Sequence, residues 1–121
     1  MQPYQSDLLN FSFLNSIAKG NNNILLKYIQ IFLDDTPPQV ASLEKAFTEK
    51  NWQDIESIAH SLKSQLNFVG ASTVSTLAAE VKEAAEESSK REFLPRRIGT
   101  FKTQFNLVYD ELKSVAEKLP V

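Results

Sequence analysis

Apolar residues recur at helical spacing along most of the chain. The clearest run extends from Trp52 to Val69, where apolar residues follow one another at alternating steps of three and four. A similar run from Ile98 to Leu119 continues for about six helical turns. Because steps of three and four keep side chains on one side of a helix, each run predicts an amphipathic helix with one buried face. No segment alternates with a period of two between turn dipeptides, so we predict no strands.

Glycine, asparagine and proline divide the first third of the chain into shorter helices. Gly20 suits the left-handed position after a short N-terminal helix, and the asparagines at 21–23 offer N-caps for the next helix. The segment Thr36-Pro37-Pro38-Gln39 has a capping residue, a proline for the first turn and a glutamine that can complete a capping box. We therefore predict that one helix ends there and another begins.

Further signals bound the remaining helices. Asn51 is a predicted N-cap, and Gly70 is predicted to end the helix that follows. Ser72 can open the next helix, the polar segment 86–92 is predicted to be a helix end and a loop, and Pro95 fits the first turn of the last helix. Short connections favour antiparallel neighbours, so the predicted fold is all-α: an antiparallel up-down four-helix bundle with a short N-terminal helical addition.

Composition excludes several classes of function. The chain has 121 residues, which predicts a single domain spanning residues 1–121. With no cysteine and one histidine, it lacks the residues for a disulfide framework, a thiolate or multi-histidine metal site, or a cysteine nucleophile. A net charge of −2 argues against nucleic-acid binding. No apolar run approaches the roughly 20 residues of a membrane span, and no secretory signal pattern is visible, so we expect a cytoplasmic protein without a membrane partner.

The single histidine, His60, lies inside the helix predicted from Trp52 to Val69. At 100° per residue it falls roughly 130° from the centre of the apolar face of that helix. His60 is therefore predicted to face solvent at mid-helix. Position alone leaves two interpretations, a surface histidine without a function or a reactive side chain.

Four neighbours share the predicted outer side of this helix. Lys63, three residues after His60, can place an ammonium near a group attached to the imidazole. Glu56, four residues before it, either orients the ring by accepting a hydrogen bond or belongs to an ordinary solvated helix face. Ser64 is a small residue on the same side. Phe68 is either part of an exposed docking patch or buried against a neighbouring loop.

The stretch AHSLKSQLNFVGA, residues 59–71, resembles the signature of histidine-containing phosphotransfer (HPt) domains. That signature has alanine-histidine, a hydrophobic residue two positions later, lysine at three, glycine at four, and glycine-alanine at ten and eleven. The residues that match are His60, Leu62, Lys63, Gly70 and Ala71. The chain departs from it at Ser64, where the family usually has glycine. The preceding segment also resembles the family, with an acidic-Thr-Pro turn and an Asn-Trp entry to the helix, and the resemblance covers nearly the whole chain.

The resemblance implies an intermediate of a multistep phosphorelay. His60 would accept a phosphoryl group from the aspartate of a receiver domain and pass it to a second receiver, and Lys63 would offset charge on the phosphoryl oxygens. Mg²⁺ would belong to the receiver, so this chain would need no cofactor. The implied partners are receiver domains and a hybrid sensor histidine kinase, with the chain as a monomer. Docking would involve Ser64, Phe68 and Glu56, and the extra bulk of Ser64 would bear on how closely a receiver approaches.

Two other functions are considered beside this one. A helical adaptor with an incidental surface histidine would bind partners equally well through an exposed Phe68. An autonomous enzyme would need a base, a nucleophile and an orienting group that converge in a cleft. One outward-facing histidine on a bundle surface does not provide that arrangement, so we expect a phosphocarrier without kinase or phosphatase activity of its own.

Overall fold

The computed structural model describes residues 4–121, and the first three residues of the predicted domain lie outside it. The α-helices of the described residues are α1 (Ser12–Ala18), α2 (Asn22–Thr48), α3 (Trp52–Phe68), α4 (Ser72–Glu86) and α5 (Leu94–Lys118). A 3₁₀ helix, Ser88–Phe93, connects α4 to α5. No strand forms within 4–121, where one isolated bridge pairs Gln5 with Asn10. The all-α prediction is confirmed.

The four long helices form the bundle. Helix α3 packs against α2 and α4, and α5 packs against α4 and α2, which places α3 and α5 diagonally across from each other. Short connections make successive helices antiparallel. The predicted apolar face of α3 lies in the core, where these side chains are buried: Ile55, Ala59, Leu62 and Leu66. The predicted four-helix bundle with a short N-terminal helix is therefore correct.

The predicted break at Thr36–Gln39 is wrong, because α2 continues without interruption through Pro37 and Pro38. Thr36 is not an N-cap: its side chain is buried, and its hydroxyl donates to the Phe32 carbonyl oxygen at 2.7 Å. A proline inside a helix costs about 3 kcal/mol through a lost hydrogen bond and a steric clash. The buried face of α2 nevertheless spans the prolines: Leu25, Ile29, Phe32, Leu33, Thr36, Leu43 and Ala46. Burial of that face outweighs the local penalty.

The other predicted boundaries hold at most positions. The Asn21 side chain accepts hydrogen bonds from the backbone at the start of α2, and the Asn51 side chain accepts one from the Asp54 amide. Gly20 has the predicted left-handed backbone, with a φ of 76°, and Gly70, which was predicted to end α3, also has a positive φ, 79°. These residues set where α2 begins, where α3 begins, and where α1 and α3 end.

Segment 86–92 contains the predicted helix end, since α4 ends at Glu86, but the predicted loop is instead a short 3₁₀ helix, Ser88–Phe93. Its Arg91 guanidinium lies 4.8 Å from the centre of the Trp52 ring, and its Nε donates to the Ala85 carbonyl oxygen at 3.3 Å. This contact closes one end of the bundle by joining the connection to the start of α3.

The N-terminal segment packs more closely than an appended helix would. Phe11 and Leu14 are buried, and the Asn10 amide donates to the Gly70 carbonyl oxygen at 3.0 Å. The Ser6 hydroxyl donates to the Glu111 carboxylate on α5 at 2.6 Å. The segment therefore joins α5 to the junction between α3 and α4. Within residues 4–121, no helix has the length and apolar character to cross a membrane.

Candidate functional site

His60 lies at the middle of α3 with its side chain exposed, as predicted. The residue after it, Ser61, bonds across to α2, and the Lys63 carbonyl oxygen accepts a hydrogen bond from Ser75 on α4 at 3.1 Å. Helix α3 is thus tied to a neighbour on each side, and its outer surface carries His60 between them. The imidazole is held on a rigid helix and is open to a large partner.

Lys63 is half-buried and lies one turn after His60. The ion pairs of residues 4–121 involve other basic side chains: Lys82, Lys90, Arg97 and Lys102. The Lys63 ammonium has no carboxylate partner among the described residues. A positive charge is therefore available near the imidazole.

Glu56 does not orient the histidine ring. No hydrogen bond joins the Glu56 carboxylate to His60. Glu56 instead lines a shallow polar cleft together with Trp52 and Arg91. The pKa of Lys82 on α4 is raised, mainly by its hydrogen bond to Glu86 and to a smaller extent by the charge of Glu56. The structure thus favours the interpretation of Glu56 as part of a solvated, charged helix face.

An apolar groove of about 270 Å³ lies between α2 and α3, beside His60. Ser64 and Phe68 of α3 and Tyr28 and Ile31 of α2 contribute to its lining. Ser64 is exposed, and Ile31 is 46% exposed despite its size. We call this feature the α2–α3 groove, and it brings together two of the predicted docking residues.

Phe68 is half-buried in this groove, which leaves part of its ring exposed, as its position off the apolar face of α3 predicts. Its ring stands edge-on to Phe13 of α1, at 5.8 Å between centroids, and to Tyr28 of α2, at 5.3 Å. The two residues that cover part of Phe68 thus lie on helices and not on a loop. Edge-to-face contacts of this kind hold an aromatic ring in one orientation.

A hydrogen-bond network of three side chains between α2 and α3 was not predicted from the sequence. The Gln39 side-chain oxygen accepts hydrogen bonds from Ser61 at 2.9 Å and from Gln65 at 2.8 Å. The Gln39 amide in turn donates to Gln65 at 3.1 Å, so the two glutamines join α2 to α3 above the core. The sequence assigned Gln39 to a capping box, and no local signal distinguishes that role from an interhelical bridge.

The arrangement around His60 supports one kind of chemistry. It offers one exposed nucleophile, one nearby cation and an adjoining apolar surface, without a second acid or base bonded to the imidazole. Within the described residues, no three histidine, cysteine or acidic side chains come close enough to hold a metal ion. These features fit a group carrier that completes its site with a partner.

Comparison with known proteins agrees with this geometry. The family model of the Hpt domain matches residues 27–117. The crystal structure of histidine-containing phosphotransfer protein B from Pseudomonas aeruginosa PAO1 has the same fold, with a TM-score of 0.85 over 96% of this chain and 100% of that chain, at 20% sequence identity. A search of curated protein sequences finds no significant match.

Proposed function

Because the chain belongs to the Hpt domain family, and is therefore a histidine phosphotransfer protein of a phosphorelay, we propose that His60 carries the phosphoryl group. The observation that supports this most strongly is that the single histidine of the chain is exposed at mid-helix within the matched residues. No other imidazole competes for the role.

The proposed reaction is a reversible transfer between nitrogen and oxygen. A lone pair of the neutral His60 imidazole attacks the phosphorus of an aspartyl phosphate on a receiver domain. A phosphorus–nitrogen bond forms as the bond to the aspartate oxygen breaks, and the receiver's carboxylate is released. A second receiver's aspartate then takes the group by the reverse step. Positioning and charge stabilisation provide most of the catalysis in such transfers.

Lys63 is proposed to stabilise charge on the phosphoryl oxygens. It lies three residues after His60 on the same helix, where side chains are neighbours, and no described carboxylate neutralises it. The Mg²⁺ that assists transfer is proposed to be bound by the receiver, as membership of the Hpt domain family implies. The chain is thus proposed to be a phosphocarrier without kinase or phosphatase activity of its own.

The receiver is proposed to dock over Ser64 and into the α2–α3 groove. Family members act with receiver domains, and a receiver must bring its aspartate to His60 across the exposed Ser64. Phe68 and Ile31 supply apolar area beside that approach. Glu56, one turn before His60, lines a different cleft and is proposed to lie at the edge of the docking surface. A hybrid sensor kinase is the proposed source of the phosphoryl group, and the proposed working form is a cytoplasmic monomer in which residues 1–121 act as one domain.

Phosphorylation of His60 is tested with a labelled receiver. Incubation with a phosphorylated receiver domain is expected to give this protein a label that is lost in acid and retained in base. His60→Gln is expected to abolish the label while circular dichroism shows unchanged helicity. A label that persists in this variant would refute the assignment, and an adaptor with an incidental histidine would bind the receiver without becoming labelled.

The docking surface is tested with a matched pair of bulky substitutions. Ser64→Tyr is expected to block receiver binding and transfer with the fold intact, because the exposed side chain has room in the free protein. Asn106→Tyr places the same bulk at an exposed position on α5, diagonally across the bundle from α3. This variant is expected to bind the receiver normally. Equal binding by both variants would show that the receiver docks elsewhere.

A further inference from the structure

A second cleft lies at the end of the bundle where α1, the start of α2 and the end of α5 meet. Its volume is about 830 Å³, within the range of roughly 300–1,000 Å³ that is usual for small-molecule sites. It shares no lining residue with the α2–α3 groove beside His60. The receiver-docking role proposed for that groove therefore does not account for this cleft.

The walls of this cleft combine apolar and uncharged polar groups. Val115 of α5 and Leu119, the residue after α5, are half-buried and contribute apolar surface, and Tyr4, 40% exposed, adds its ring. Phe11 and Leu25 lie beneath them and are almost completely buried. Asn15 and Ser16 of α1 provide hydrogen-bonding groups in the lining. An apolar wall with a few polar groups is typical of sites that orient a partly apolar ligand.

The charge of the cleft is opposite in sign to that of the whole protein. Lys19 and Lys118 line it, and no aspartate or glutamate does, although the chain has 15 acidic residues and a net charge of −2. Neither lysine belongs to an ion pair among residues 4–121. Glu111 interacts with the lining residue Tyr4, but it accepts a hydrogen bond from Ser6 and does not line the cleft. The two lysines beside apolar surface therefore favour a ligand that has an anionic head and an apolar body.

We propose that this cleft binds a small amphipathic carboxylate, with its apolar chain on Tyr4, Val115 and Leu119 and its carboxylate near Lys19 and Lys118. Each methylene group that leaves water contributes to affinity, so binding should tighten about fourfold per buried methylene. Attraction to the lysines should make binding depend on the sign of the head group. A purely charged surface would not bind longer chains more tightly, and a purely apolar surface would not distinguish an anionic from a cationic head group.

The ligand class is tested by titration of the whole protein, followed by backbone amide shifts. Octanoate is expected to bind roughly 16-fold more tightly than hexanoate, since it adds two methylenes. Octylammonium, which has the same chain length and the opposite charge, is expected to bind at least tenfold more weakly than octanoate. Equal binding of octanoate and octylammonium, or of octanoate and acetate, would overturn the proposal.

The location is tested with variants of lining residues. Lys19→Gln and Lys118→Gln are each expected to weaken octanoate binding several-fold, and Ser16→Trp is expected to block it by filling the cleft. Lys27→Gln removes a lysine that is exposed on α2 and lines none of the described clefts, so it is expected to bind octanoate normally.

Normal binding by Ser16→Trp with native circular dichroism would refute this location, as would an equal loss in Lys27→Gln. The His60→Gln variant is expected to bind octanoate as tightly as the unmodified protein, so this test does not depend on the proposed phosphotransfer role of His60.

Discussion

Gly70→Ala should destabilise the protein much more than Gly20→Ala, although both glycines have a similar left-handed backbone. For alanine, the left-handed conformation costs about 1–2 kcal/mol at either position. At Gly20 an added Cβ would meet nothing within 4 Å. At Gly70 the same atom would lie 1.8 Å from the Asn10 carbonyl oxygen and 2.6 Å from its carbonyl carbon. The Asn10 backbone must therefore move away from α3.

That movement also breaks the hydrogen bond from the Asn10 amide to the Gly70 carbonyl oxygen, which measures 3.0 Å. Its loss adds about 0.5–1.5 kcal/mol. The expected loss of unfolding free energy is about 1.5–3.5 kcal/mol for Gly70→Ala and about 1–2 kcal/mol for Gly20→Ala. The difference in unfolding free energy between the two variants measures how much the contact between Asn10 and Gly70 contributes to stability.

Urea unfolding followed by circular dichroism measures both free energies, and amide shifts of residues 4–18 show whether the segment is displaced. Gly70→Ala is expected to shift these resonances and those of Phe68, which contacts Phe13 on α1. Gly20→Ala is expected to leave the Asn10 resonance unchanged. Equal destabilisation by the two substitutions would refute the close approach of Asn10 to Gly70.

Three further outcomes are expected. Lys63→Ala should change the unfolding free energy by no more than about 0.5 kcal/mol, yet slow phosphorylation of the protein; unchanged transfer would exclude a role for the ammonium. Pro38→Ala should retain α2 and stabilise the protein by about 1–2 kcal/mol in urea unfolding, because it restores a helical donor; destabilisation would contradict this account of the continuous helix. Hydrogen bonds from Lys90 and Arg97 lower the pKa of Glu83 below its usual value of 4.5. The ionised Glu83 carboxylate therefore adds to the free energy of unfolding above pH 4.5, and this stabilisation is lost as the pH falls through the lowered pKa. Thermal unfolding curves of the protein and of Glu83→Gln should therefore converge on acidification from pH 7 to pH 3, whereas a constant difference would contradict the assignment.

Local signals in the sequence account for most of the helices and for the direction of His60. The buried face of α3 follows from its three-four periodicity, and the same periodicity turns His60 away from the core. Asn51 and Gly70 mark the ends of that helix through capping and a positive φ. Each of these features depends on residues within one or two turns of each other, which is why the sequence predicts them.

The continuity of α2 could not be predicted from such signals. Thr36, Pro37 and Gln39 have the local chemistry of a helix start, and the alternative depends on partners elsewhere. In the folded protein the Thr36 side chain is buried, and the Gln39 amide is bonded to Gln65, 26 residues along the chain. Tertiary burial therefore outweighs a local preference worth only a few kcal/mol.

The sequence by itself determined the helical class, the exposed position of the one histidine and the presence of Lys63 beside it. Only the tertiary structure decided that Phe68 would be half-buried between Phe13 and Tyr28, and that an apolar groove would adjoin His60. The orientation of a side chain on one helix follows from a local period of 3.6 residues. A groove between helices depends on the distance and rotation at which separate helices pack, and these are set by contacts among residues far apart in the chain.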